Sequence, residues 1–173
     1  MTSNFVESGM DFAPLFCNPE YESFYIEKSD DYQSLNSKSN GIKSVEFLSR
    51  RGNNFYFIEA KESFVNINKA ENLEKAQCDF QDLYSKFHHS FLLFISKELK
   101  MKPASNQFAF LNQNILMDHQ LKFYLIIKNS EKTWCKKIED KLKREVFKPL
   151  CMLLDLEIRV IPSESARKFN IIA

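Results

Sequence analysis

Glycine and proline are scarce in this chain, 3 and 5 among 173 residues. That excludes a low-complexity protein and argues against a loop-rich sandwich. No Gly-rich phosphate loop and no Ser-centred nucleophile elbow can be found. No apolar run approaches the ~20 residues that a membrane-spanning helix needs. The N-terminus has no charged segment followed by a continuous apolar run, so no signal peptide is expected. The four cysteines, Cys17, Cys78, Cys135 and Cys151, lie far apart, with no CxxC pair and no Cys/His spacing suited to zinc. They read as reduced thiols in a soluble, cytoplasmic protein. An excess of one charge is also lacking, since the formal net charge is +1. The chain as a whole therefore does not advertise nucleic-acid binding. Residues 1–120 carry 12 Lys/Arg against 16 Asp/Glu and residues 121–173 carry 12 against 7, so the basic end is the C-terminal one.

Apolar material is plentiful. Hydrophobic residues make up 44% of the chain and there are 17 Phe, enough for an aromatic core with apolar surface to spare. The length fits one domain, residues 1–173, with residues 1–40 as an irregular N-terminal segment and 41–173 as the core. Within the first segment a strand is expected near Ser23–Glu27 and a loop over Ser29–Asn40. Lys43–Ser49 and Asn54–Glu62 predict a hairpin turning through Arg50-Arg51-Gly52-Asn53. Apolar residues at three- and four-residue steps from Leu73 through Phe80, Phe87 and Phe94 predict a helix over Lys69–Lys100 that exits at Lys100, Lys102 and Pro103. Its Phe91–Ile95 stretch is apolar all round and predicts burial on more than one side. Leu121–Lys128 reads as a central strand covered on both faces. Thr133–Leu154 reads as a helix that Pro149 kinks or ends, followed by a strand over Leu156–Ile161 and a helical turn over Ser163–Lys168. A helix between strands favours a parallel crossover. The fold class is α/β, a mixed central sheet flanked by helices.

The stretch Gly41–Ser63, GIKSVEFLSRRGNNFYFIEAKES, carries the clearest chemistry. Side chains two apart on a strand share a face. Phe55, Phe57, Glu59 and Lys61 thus form one side that is apolar at one end and charged at the other, while Tyr56, Ile58 and Ala60 face away. Glu46, on the preceding strand, supplies a second carboxylate. Two carboxylates and the Ala60 carbonyl are hard oxygen donors of the kind that Mg²⁺ or Mn²⁺ takes. An ordinary salt-bridged strand end remains the plain alternative, worth about 0–1 kcal/mol.

An acid in the first strand of a hairpin, acid-x-Lys at the end of the second, then a helix and a further strand resembles the PD-(D/E)XK superfamily, the restriction-endonuclease-like fold of metal-dependent nucleases. The resemblance implies that Glu46 stands where the family's first acid stands, usually Asp, and that Glu59 and Lys61 match its (D/E)XK. Glu46, Glu59 and Lys61 would then be catalytic, with Glu46, Glu59 and the Ala60 carbonyl holding Mg²⁺ or Mn²⁺ and Lys61 orienting water or countering developing charge. A further N-terminal Glu of the family has Glu7, Glu20 and Glu22 as candidates here. FIEAKES and the ending ARKFNII also look like a group of uncharacterised small bacterial proteins, a likeness that brings no function with it.

Other residues carry weaker signals. His88 and His89 fall on different sides of the long helix, where capping or partial burial is the commoner role. His119, beside Asp118, precedes a strand. Cys135 and Cys151 have no local histidine partner for nucleophilic work. Lys136, Lys137, Lys141, Lys143 and Arg144 line a helix able to track a duplex backbone, although a solvated face is the usual meaning of such a run. Arg50 and Arg51 at the hairpin tip are a similar case. Two functions stay open: a nuclease-like protein acting on nucleic acid, within a defence or DNA-processing assembly, and a catalytically inactive interaction protein on the same scaffold, forming a homodimer or binding a protein partner. The aromatic excess and near-zero net charge favour the second.

Overall fold

The computed structural model describes residues 5–38, 41–98 and 119–173. In chain order it runs β1 (Val6–Glu7), β2 (Met10–Asp11), α1 (Ala13–Cys17), β3 (Glu22–Tyr25), a 3-10 turn at Ile26–Lys28, α2 (Asp30–Lys38), β4 (Phe47–Arg51) and β5 (Asn54–Lys61). It continues through a 3-10 turn at Ala70–Asn72, α3 (Leu73–Glu98), β6 (Gln120–Ile127), α4 (Lys132–Lys141), a π-helical turn at Leu142–Val146, α5 (Lys148–Leu154), β7 (Glu157–Pro162) and α6 (Ser163–Lys168).

Five strands form one mixed sheet in the order β3-β4-β5-β6-β7. β3, β4 and β5 pair antiparallel, and β6 lies parallel to both β5 and β7. The first hairpin turns tightly: Arg51 pairs with Asn54, and Gly52 takes φ +56°, the left-handed conformation that glycine adopts without a steric penalty. The sheet is covered on both faces. One face packs Phe55, Phe57, Phe123, Leu125 and Ile127 against Ala76, Phe80, Leu83, Phe87 and Phe94 of α3 and Ile138 of α4. The other packs Phe47, Ile58, Ala60 and Ile126 against Met10, Phe12 and Leu15 at the N-terminus and Ala166, Ile171 and Ile172 at the C-terminus.

The α/β class, the buried central strand β6 and the turn α6 agree with the sequence reading. The hairpin is present, but its first strand is Phe47–Arg51 rather than Lys43–Ser49, so Glu46 just precedes it and Arg50 and Arg51 pair within the ladder instead of forming the turn. Three further expectations need correction. The sheet starts at Glu22, so residues before 41 are not an irregular annex: β3 is an edge strand of the main sheet and β1, β2 and α1 cover one of its faces. The loop expected over Ser29–Asn40 is α2 across Asp30–Lys38. Ser29 Oγ accepts the Tyr32 N–H at 3.1 Å, a helix cap, and Asp30 and Asp31 fill the first turn where the helix dipole favours acids. Finally, α3 does not bury its whole apolar stripe. Leu73 is 52% and Leu92 51% exposed, because the sheet reaches only one side of the helix. The exit expected at Lys100, Lys102 and Pro103 lies outside the described residues. Thr133–Leu154 is not one helix: α4 stops at Lys141, a π-helical turn runs to Val146, and α5 begins with Pro149 in its first turn, where its missing N–H costs nothing.

Candidate functional site

The register of the first hairpin builds the site. Phe47 pairs with Ile58 across β4 and β5, which puts Glu46 across from Glu59 at the same sheet end. Phe47 and Ile58 fill the core on one face, so Glu46 and Glu59 point to the other, toward α3. Both acids are buried, Glu46 at 6% and Glu59 at 1% exposure. Glu46 Oε2 accepts the Ala60 N–H at 3.3 Å.

A residue that sequence reasoning missed completes the cluster. Lys86, in the middle of α3, places its ammonium 2.7 Å from Glu59 Oε1 and 3.7 Å from Glu46 Oε1. Burial raises the Glu59 pKa far above the carboxylate range, helped by the Glu46 carboxyl beside it; the Lys86 ammonium opposes this without cancelling it. Burial works to lower the Lys86 pKa, but the charges of Glu59 and Glu46 outweigh it and the amine stays protonated. Glu59 Oε2 meets no N–H or hydroxyl donor. The Lys86 ammonium is the counter-charge that makes burial of the two acids tolerable.

Lys61 shares the strand face of Glu59, as its parity requires, yet its ammonium pairs with Asp79 of α3 at 3.5 Å. No ion pair joins it to Glu46 or Glu59 among the described residues. The Ala60 carbonyl accepts the Ser8 hydroxyl at 3.0 Å. Ser8 and Gly9 both have positive φ in the β1–β2 turn, and a Cβ on Gly9 would stand 2.5 Å from the Lys128 ammonium. This turn lies over the carboxyl ends of β5 and β6, the end at which open α/β sheets bind ligands.

The N-terminal candidates separate cleanly. Burial, then the charge of Glu46, raises the pKa of Glu7, and the same two causes act on Glu27. Both therefore border the acid pair. Glu20 and Glu22 instead pair with Arg51 and Arg50 at the hairpin tip. Glu27 was not among the candidates; it sits in the 3-10 turn, whose Ile26 N–H bonds the Glu46 carbonyl at 3.0 Å.

The remaining candidates take structural roles. His89 Nδ1 accepts the Lys43 N–H at 3.1 Å, and His88 stacks on Tyr84 with ring centroids 5.8 Å apart. His119 packs on Phe55, and its neighbour Asp118 lies outside the described residues. Cys135 is buried, which pushes its thiol pKa up and away from nucleophilic use. In the basic run, Lys136 and Lys143 bind Glu139 and Lys141 binds Glu145, while Lys137 and Arg144 have no ion pair among the described residues.

The donor set suits a hard cation in kind. It offers two carboxylates, a main-chain carbonyl and one carboxylate oxygen with no donor of its own. Among the described residues no three His, Cys, Asp or Glu side chains are grouped to hold a metal, so water and ligand oxygens would have to complete any coordination shell. The larger clefts lie elsewhere. One of about 480 Å³ between α2 and α3 is lined by Tyr32, Leu35, Ile42, Ser44, His89 and Leu93. We place the site at the acids nonetheless, because that is where ionisable groups are buried and perturbed together.

Fold and site thus define a mixed α/β protein with a buried Glu–Glu–Lys cluster at the end of its hairpin. Comparison with protein-family models, with curated proteins and with solved structures finds no match. No helix among the described residues is long and apolar enough to cross a membrane.

Proposed function

We propose that the chain is a metal-dependent, nuclease-like protein of the restriction-endonuclease type that hydrolyses phosphodiester bonds in nucleic acid. One observation carries this reading: two carboxylates, Glu46 just before β4 and Glu59 in β5, converge with a lysine at the carboxyl end of β5. The order around them supports it, since the hairpin β4–β5 is followed by the helix α3 and the parallel strand β6.

Glu46, Glu59 and the Ala60 carbonyl would hold Mg²⁺ or Mn²⁺. Once bound, the ion supplies a polarised phosphate and a more acidic water. The chain's own residues do the rest. Lys61, at the end of β5, counters charge that builds on the phosphate. Asp79 fixes the Lys61 amine, and burial keeps Glu46 and Glu59 in a weakly screened setting where each charge counts for more. A cytoplasmic location, within a defence or DNA-processing assembly, fits this activity.

A second reading has its own support. Lys86 already supplies a counter-charge to Glu46 and Glu59, and α5 exposes Met152 and Leu153 at 78% and 79%. An inactive interaction protein, closing this apolar surface against a partner or a second copy, would look the same.

Calorimetric titration with Mn²⁺ on the wild type and Glu59→Gln, followed by a cleavage screen on single- and double-stranded DNA and RNA, separates the two. Binding that Glu59→Gln abolishes, with EDTA-sensitive cleavage, is expected. Absence of both binding and cleavage in the wild type moves the assignment to the interaction protein.

A further inference from the structure

We propose that Lys86 is the site's built-in cation, occupying the place of a divalent ion in the resting protein and yielding it when the ion binds. This rests on the reading of Glu46 and Glu59 as metal-holding acids. Three observations carry it. The ammonium touches both acids, at 2.7 Å and 3.7 Å, so it stands on the donor set rather than beside it. It comes from α3, a different element from the segments that carry the acids, so it can leave them without disturbing the hairpin. A third carboxylate, Glu27 in the 3-10 turn, lies near enough for its charge to act on the same ammonium.

The physical consequence is competition. A divalent ion sits about 2.0–2.1 Å from carboxylate oxygens if it is Mg²⁺. With Lys86 in place, that ion and the ammonium would be two cations a few ångströms apart in a half-buried setting, where like charges repel strongly. The lysine must swing away on its four-carbon stem before the ion seats, and metal affinity is lowered by the strength of the ion pair it breaks. The other charged groups facing the pair are Glu7, Glu27 and Lys28, which stay in place in either state. Lys61 differs in this respect: held by Asp79, it is available in both states. Lys86 is thus a positioning and gating residue, and Lys61 the amine that stays with the bound ion.

The test is Mn²⁺ titration of the wild type, Lys86→Met and Lys86→Gln, with circular dichroism confirming the fold of each. Removing the amine should raise Mn²⁺ affinity by about tenfold or more. A wild type that binds Mn²⁺ while both variants bind equally or more weakly overturns the gating role and leaves the metal reading standing. No Mn²⁺ binding by any of the three overturns the metal reading itself, and the gating role with it. One measurement needs no variant: the NMR signals of the Lys86 side-chain terminus in the wild type. Saturating Mg²⁺ should move them as the Glu59 contact is lost, and signals unchanged by bound Mg²⁺ sink the proposal even if the variants fail to fold.

Discussion

Glu139 shows what a fully satisfied buried acid looks like in this protein. Lys143 and Lys136 donate to its Oε1 at 2.8 and 3.0 Å, and the Val160 N–H donates to its Oε2 at 3.0 Å, tying α4 to β7. Burial alone would raise its pKa, but these hydrogen bonds outweigh it and hold the carboxyl below its ordinary range. The sign for stability follows. A depressed folded pKa stabilises the native state above the unfolded value, about 4.3, and the benefit fades as pH falls through the folded value. Glu139→Ala should cost about 1–3 kcal/mol at pH 7, since the Val160 N–H loses its partner. Urea unfolding should show the gap between wild type and variant narrowing below about pH 4. Glu59 is the opposite case, a buried acid whose pKa burial pushes well up. Glu59→Gln mimics the protonated form and should keep stability within about 1 kcal/mol of the wild type; a large loss in thermal melting would mean that Glu59 is ionised in the native state. Parity alone places Glu59 beside Glu46 in the sequence reading. It cannot find Lys86, because that contact joins residue 59 to residue 86 across a helix–sheet packing that no local spacing encodes.

The elements fall into two kinds. Those with a strong pattern, β5 and α3 by their periodicity and β6 by its continuous apolar run, are legible from the residues alone. α2 is not, because only Tyr32 of its nine residues is buried. Its signal was the cap, Ser29 followed by two acids, so Ser29→Ala should cost about 0.5–2 kcal/mol and weaken hydrogen-exchange protection across Asp30–Lys38. For α3 the period gives the buried face but not its width. Phe87 is fully buried among Phe57, Phe91, Phe123 and Phe147, whereas Leu92 looks outward. Phe87→Ala should therefore cost about 3–5 kcal/mol, and Leu92→Ala should change unfolding by less than about 0.5 kcal/mol. Equal losses at the two positions would mean that a second surface covers α3.

At the scale of the whole molecule the question is what draws a polyanion to a protein of net charge +1. The basic residues that looked like a footprint are mostly spent internally. Arg50 and Arg51 meet Glu22 and Glu20, and Lys136, Lys141 and Lys143 meet acids on their own helical run. Around the site itself Glu7 and Glu27 add negative charge to the acid pair. Without a divalent ion the sheet end should repel phosphate, and with one it should attract it. Nucleic-acid binding is therefore expected to need the metal: filter retention of a labelled duplex or single strand at about 150 mM salt should appear with Mn²⁺ and vanish with EDTA. Of the candidate footprint only Lys137 and Arg144 have no ion pair among the described residues, so the log–log salt slope should be shallow, about −3 or less in magnitude, where a protein making 6–10 phosphate contacts would give roughly −5 to −9. Glu59→Gln should lose the metal-dependent binding while keeping its fold. A steep slope with full binding in EDTA would place recognition on a basic face away from Glu46 and Glu59, and the acids would then be a structural cluster with Lys86.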